Sequence, residues 1–121
     1  FCDLTYQGWG MDLEPSIFVK ATVTSRPAPN RVILDCGFKT LPRGYASAQL
    51  IGVEGVASLV HSAEHGIVTL DHENSTLNVG DGLDLMVGYS DATVFLHDTL
   101  FGLRRGVVEA AWPVLGRGKI Q

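Results

Sequence analysis

At 121 residues the chain is long enough for one hydrophobic core and far short of the about 250 residues of a catalytic (β/α)8 barrel, so one domain is expected. A formal net charge of −4, with nine Lys and Arg scattered along the chain, gives no basic footprint and argues against a nucleic-acid partner. No apolar run approaches the roughly 20 residues that span a bilayer, and the start lacks the basic, apolar, small-residue order of a signal peptide. A soluble, cytoplasmic domain with no membrane partner is the expectation.

The residues before Ile17 include Phe1, Tyr6, Trp9 and Met11, too apolar for a free tail, and are predicted to pack on the sheet or on a partner domain. Residues 17–24 are the first strand. The turn at 26–30 carries Pro27 and Pro29, which cannot sit in a central ladder, and residues 31–37 are the antiparallel partner. Residues 49–53 are a weaker strand. Residues 57–64 and 66–71 read as strands meeting at Gly66, where a bend costs least, with a short helix within 46–63 as the alternative because of its alanines. Asn74-Ser75-Thr76 matches a glycosylation sequon and is read as turn chemistry.

Gly80-Asp81-Gly82 is a turn, after which Leu83, Leu85 and Val87 alternate with Asp84 and Met86, the period of a strand with one buried face. Residues 88–92 form a polar loop that enters a strand. Residues 93–103 and 107–112, separated by Arg104-Arg105-Gly106, are predicted to form a closing hairpin. The fold class is therefore all-β: mainly antiparallel sheet or a small barrel, with at most short helices.

Cys2 and Cys36 are read as reduced thiols rather than a bridge. His97 beside Asp98 invites a dyad, but neighbours along a strand point to opposite faces. Trp112 is read as a core anchor or an interface residue. There is no Gly-x-Ser-x-Gly, Walker, Cys-x-x-Cys or His-Glu-x-x-His pattern, so no self-contained hydrolase, nucleotidase or zinc-protease site.

Six segments in order carry a resemblance. Ala21-Thr22-Val23-Thr24-Ser25-Arg26-Pro27, then Asp35-Cys36-Gly37-Phe38-Lys39, then Glu64-His65-Gly66 and Gly80-Asp81 are followed by Gly88-Tyr89-Ser90-Asp91-Ala92-Thr93-Val94-Phe95-Leu96-His97-Asp98 and by Trp112-Pro113-Val114-Leu115-Gly116-Arg117-Gly118. Together they resemble the D-threonine aldolases and D-serine dehydratases, fold-type III pyridoxal phosphate enzymes similar to alanine racemase. The resemblance implies that residues 1–121 are the C-terminal β-domain of a larger enzyme. Its barrel, absent from this chain, would carry the pyridoxal phosphate lysine. Lys20, Lys39 and Lys119 are accordingly not assigned that role.

The resemblance also implies a divalent metal, Mn²⁺ or Mg²⁺, held by a His-x-Asp pair. Asp91 falls on its second position, and a hard carboxylate suits these ions better than a dehydratase-type thiolate would. The first position is Tyr89, a poor ligand while its phenol is protonated and a candidate catalytic or substrate-facing group. His65, with Glu64, is a further candidate ligand if the fold brings that turn to Asp91. Without the resemblance, Asp91 is a turn former, Tyr89 a half-buried packing residue and His65 part of a bend.

The leading expectation is a lyase domain acting on D-3-hydroxy amino acids, aldolase-like before dehydratase-like, in a homodimer. The isolated domain is expected to be inactive. The alternatives are a noncatalytic capping and dimerisation domain, or part of an amino-acid racemase with Tyr89 as its acid or base.

Overall fold

The structure is a computed structural model that describes residues 2–119. Strands β1 (Phe18–Ala28), β2 (Arg31–Leu34), β3 (Gln49–Leu50), β4 (Val56–His61), β5 (Gly66–Leu70) and β6 (Gly82–Met86) form one antiparallel sheet in the order β3–β6–β1–β2–β5–β4. The sheet curls into a nearly closed barrel, as the all-β reading required.

The curl begins in β1. Its first half, Phe18 to Thr22, pairs with β6, and its second half, Val23 to Ala28, pairs with β2. Register shifts between Val23 and Ser25 and again before Ala28 bend the strand at this change of partner, as bulges do. Alternation then aims Val19, Ala21 and Val23 inward with Val32 and Leu34 of β2, Val68 and Leu70 of β5, and Leu83 and Leu85 of β6. At about 25 cal/mol per Å² of apolar surface, this core supplies the driving force for folding.

Most of the family-like segments hold this barrel together. The Arg26 guanidinium donates to the carbonyls of Leu77 (2.7 Å), Pro29 (3.1 Å) and Asn74, tying the 74–77 loop to the end of β1. Asn74 makes the turn expected of it, its side-chain oxygen accepting from the N–H groups of Thr76 and Leu77. Asp35 accepts from the Thr22 N–H at 2.7 Å. Gly37 packs against the backbone of Ser62 and Ala63 with no room for a Cβ, and Lys39 pairs with Glu64 across the same contact.

Four expectations need correction. Pro27 does not close the first strand: β1 runs through it to Ala28, at the sheet's hairpin end, and only Pro29 and Asn30 lie in the turn. The stretch beginning at Thr93 is not strand from its start: Ser90–Val94 is a helix (α2), and the hairpin strand β7 begins at Thr99 (Thr99–Arg104), pairing with β8 (Val107–Pro113). Residues 49–53 contribute only Gln49–Leu50 as strand. The start of the chain forms a helix, α1 (Leu4–Gly8), with Cys2, Asp3 and Thr5 buried. Phe1, grouped with that segment by its apolar character, lies outside the described residues.

No helix is long and apolar enough to cross a membrane among the described residues. Cys2 and Cys36 are both buried free thiols. Burial pushes the Cys36 thiol up to about 11, with the neighbouring Asp35 charge adding to it.

Candidate functional site

Two five-residue helices meet at the end of β6. Neither is long enough to be stable by itself, so their existence depends on what caps them. One buried carboxylate does most of that work. Asp3 is the N-cap of α1 and accepts from the Tyr6 N–H at 2.8 Å, and its other oxygen accepts from the Ser90 N–H that opens α2. Tyr89, the residue at the N-cap position of α2, makes no side-chain cap of its own.

Burial alone would raise the Asp3 carboxyl. Hydrogen bonds from the Ser90 side chain and from the backbone of Tyr6, Ser90 and Thr5 outweigh it and hold the carboxyl below its ordinary 3.8. The two chain segments are stapled again by Thr5, whose N–H and hydroxyl both donate to the Gly88 carbonyl, at 3.0 and 2.6 Å. Gly88 in turn lies against the backbone of Ala46 and Ser47, and Gly44 against the Tyr89 side chain, so the 44–47 loop forms a third wall.

This scaffold presents Asp91 at the surface with aromatic rings around it. The Tyr6 hydroxyl donates to Asp91 Oδ2 at 2.9 Å. The Tyr6 and Tyr89 rings are 6.4 Å apart, Tyr45 packs edge-on against Tyr89 at 5.2 Å, and Trp9 edge-on against Tyr6 at 5.3 Å. Hydrogen bonding to Asp91 raises both the Tyr6 and Tyr89 phenols above 10, and burial and the Asp91 charge push the same way. Both are therefore neutral hydroxyls at physiological pH.

Tyr89 and Asp91 thus share one corner. His65 does not join them: it sits in the β4–β5 turn, where its carbonyl accepts from the Ser62 N–H at 2.8 Å, and neighbouring Glu64 is engaged by Lys39. Among the described residues no three of His, Cys, Asp and Glu converge where they could hold a metal ion. The donors beside Asp91 fit a divalent ion poorly, since Asp3 has both oxygens on backbone N–H groups and the phenols are protonated.

His97 and Asp98 precede β7 rather than lying in a strand, and they have separate partners: His97 Nε2 meets the Thr40 carbonyl at 2.8 Å, and Asp98 accepts from Arg117 at 2.6 Å. Trp112 lies across Gly102 on the exposed hairpin, outside the barrel core. Asp3, Tyr6 and Tyr45 are site residues the sequence reading did not single out. Asp3, a residue type favoured at helix N-caps, is the signal that could have found α1.

Residues 16–103 match the family described as "Putative serine dehydratase domain". The chain is 39% identical over 105 residues to a D-threonine aldolase of Arthrobacter sp., covering 87% of this chain and 28% of that protein. It is 34% identical over 106 residues to a 3-hydroxy-D-aspartate aldolase of Paracoccus denitrificans, covering 88% and 27%. The crystal structure of D-threonine aldolase from Filomicrobium marinum superposes with a TM-score of 0.89 at 28% identity, over 100% of this chain and 35% of that one. The chain thus spans little more than a quarter of the length of these curated relatives.

Proposed function

From the finding that the chain belongs to the serine dehydratase domain family, we propose that it is the β-domain of a pyridoxal phosphate-dependent lyase acting on D-3-hydroxy amino acids. The observation that carries the reading is the 39% identity to a D-threonine aldolase across nearly the whole chain. The reaction is aldolase-like: the Cα–Cβ bond of the substrate breaks, and D-threonine gives glycine and acetaldehyde. Loss of water, as in a dehydratase, is the second chemistry the family offers.

Pyridoxal phosphate, when bound, supplies the acidification of the bonds at the substrate α-carbon. Lys20 and Lys39 are surface lysines paired with Asp84 and Glu64, so binding of the cofactor is assigned to a barrel domain outside these residues. The contribution of this chain is the Asp91 corner. One Asp91 oxygen is held by the Tyr6 hydroxyl, and the Tyr89 phenol faces the same carboxylate. The oxygen not held by Tyr6 is the acceptor for the β-hydroxyl of the substrate, while Tyr89 lines the approach. Asp3 fixes Tyr6 and Asp91 by capping the two helices they stand on.

The exposed apolar residues of β7 and β8, among them Phe101, Val107 and Trp112, support a second role for the domain, as a cap on the barrel and part of a homodimer interface.

Borohydride trapping tests the assignment. The protein as its gene encodes it, reduced in the presence of pyridoxal phosphate, is expected to carry one cofactor adduct by mass, on a lysine outside residues 1–121. An adduct on Lys20, Lys39 or Lys119 would overturn it.

A further inference from the structure

The surroundings of Asp91 are arranged for hydrogen bonding rather than for coordination. One of its oxygens is already taken by the Tyr6 hydroxyl at 2.9 Å, so an ion approaching that oxygen meets a proton. At the position two residues earlier, where a histidine would offer an unprotonated nitrogen, Tyr89 offers a neutral phenol. The other carboxylate of the corner, Asp3, is buried and holds a first-turn N–H of each helix. It could turn toward an ion only by uncapping them.

We propose that in this protein the phenols of Tyr6 and Tyr89 have taken the place of a divalent metal at Asp91, leaving its carboxylate a hydrogen-bonded anion closed to Mn²⁺ and Mg²⁺. Orientation of Asp91 toward substrate, which an ion would otherwise fix, is fixed instead by the Tyr6 hydroxyl, with Tyr6 as the positioning residue. Of the reading above, this uses only the placement of Asp91 beside the substrate.

The test is uptake of Mn²⁺ by the protein as its gene encodes it, read from the paramagnetic resonance signal of the free ion. Turnover does not enter the readout, so the result stands whether or not the protein cleaves a D-amino acid. The unmodified protein is expected to bind no Mn²⁺ at Asp91 up to about 1 mM. The double variant Tyr6→Phe with Tyr89→His, which frees the carboxylate and restores an imidazole, is expected to take up one ion at least about tenfold more tightly. Adding Asp91→Asn should remove that ion. Circular dichroism matching the parent shows that each variant is folded. The proposal is overturned if the unmodified protein takes up an ion that Asp91→Asn abolishes, or if the folded double variant gains none.

Discussion

The barrel and the β7–β8 hairpin are made from the same kinds of residue, yet they bury them differently. In the first half of β1 and in β5 and β6 every second side chain goes inside, and Val23, Val68 and Leu85 have no exposure at all. In the hairpin no residue is fully buried: Phe101 is 60% exposed, Val107 63% and Trp112 55%. Alternation needs an opposing surface to become a core. The curled sheet supplies one from its own far side, whereas a two-stranded ribbon has two open faces and is marginal alone. The hairpin is held at its base by the Val114 N–H on the Asp98 carbonyl (2.9 Å) and by Arg117 on Asp98 and the Phe95 carbonyl. Its apolar faces are uncovered among the described residues.

The comparison can be broken by mutation. Leu85→Ala, in the fully buried wall of the barrel, is expected to cost about 2 to 5 kcal/mol, measured by urea unfolding. Asp3→Ala removes one carboxylate from two helix starts and should cost about 1 to 3 kcal/mol while leaving the barrel's β signal in circular dichroism intact. Because the folded Asp3 carboxyl is held below 3.8, its contribution is present above that value and is lost as pH falls through the lowered folded value. The Asp3→Ala penalty should therefore shrink in acid, and a penalty that grew there would contradict the hydrogen-bonding account.

Phe101→Ser on the hairpin is expected to change the stability of residues 1–121 by less than about 0.5 kcal/mol. A loss as large as that of Leu85→Ala would mean that the hairpin face is already covered. The smallest effect concerns Cys36. With its thiol raised to about 11 it should resist alkylation by iodoacetamide at neutral pH in the folded chain, and react on unfolding.

Much of the barrel was legible because its strands alternate and its first hairpin turns at Pro29-Asn30. The end of β6 was not. Thr93, Val94, Phe95 and Leu96 carry strand-type side chains, and they become helix and turn because Asp3, 87 residues away from Ser90, caps the start of α2. The same distance hid half of the site. Tyr89 and Asp91 stood out by resemblance to a metal-ligand pair, whereas Tyr6 reaches Asp91 only through the fold, across 85 residues. His65 failed to join them because the β4–β5 turn spends its contacts on residues 37–39, through Lys39 and the close backbone at Gly37.

The most direct test of the lyase assignment is stereospecific turnover. The protein as its gene encodes it, supplied with pyridoxal phosphate, is offered D-threonine and L-threonine separately, and glycine and acetaldehyde are quantified. Equal amounts of both products from D-threonine, with L-threonine untouched, are expected. Cleavage of L-threonine alone, or no reaction with D-threonine or any other D-3-hydroxy amino acid by the cofactor-loaded protein, would contradict the account.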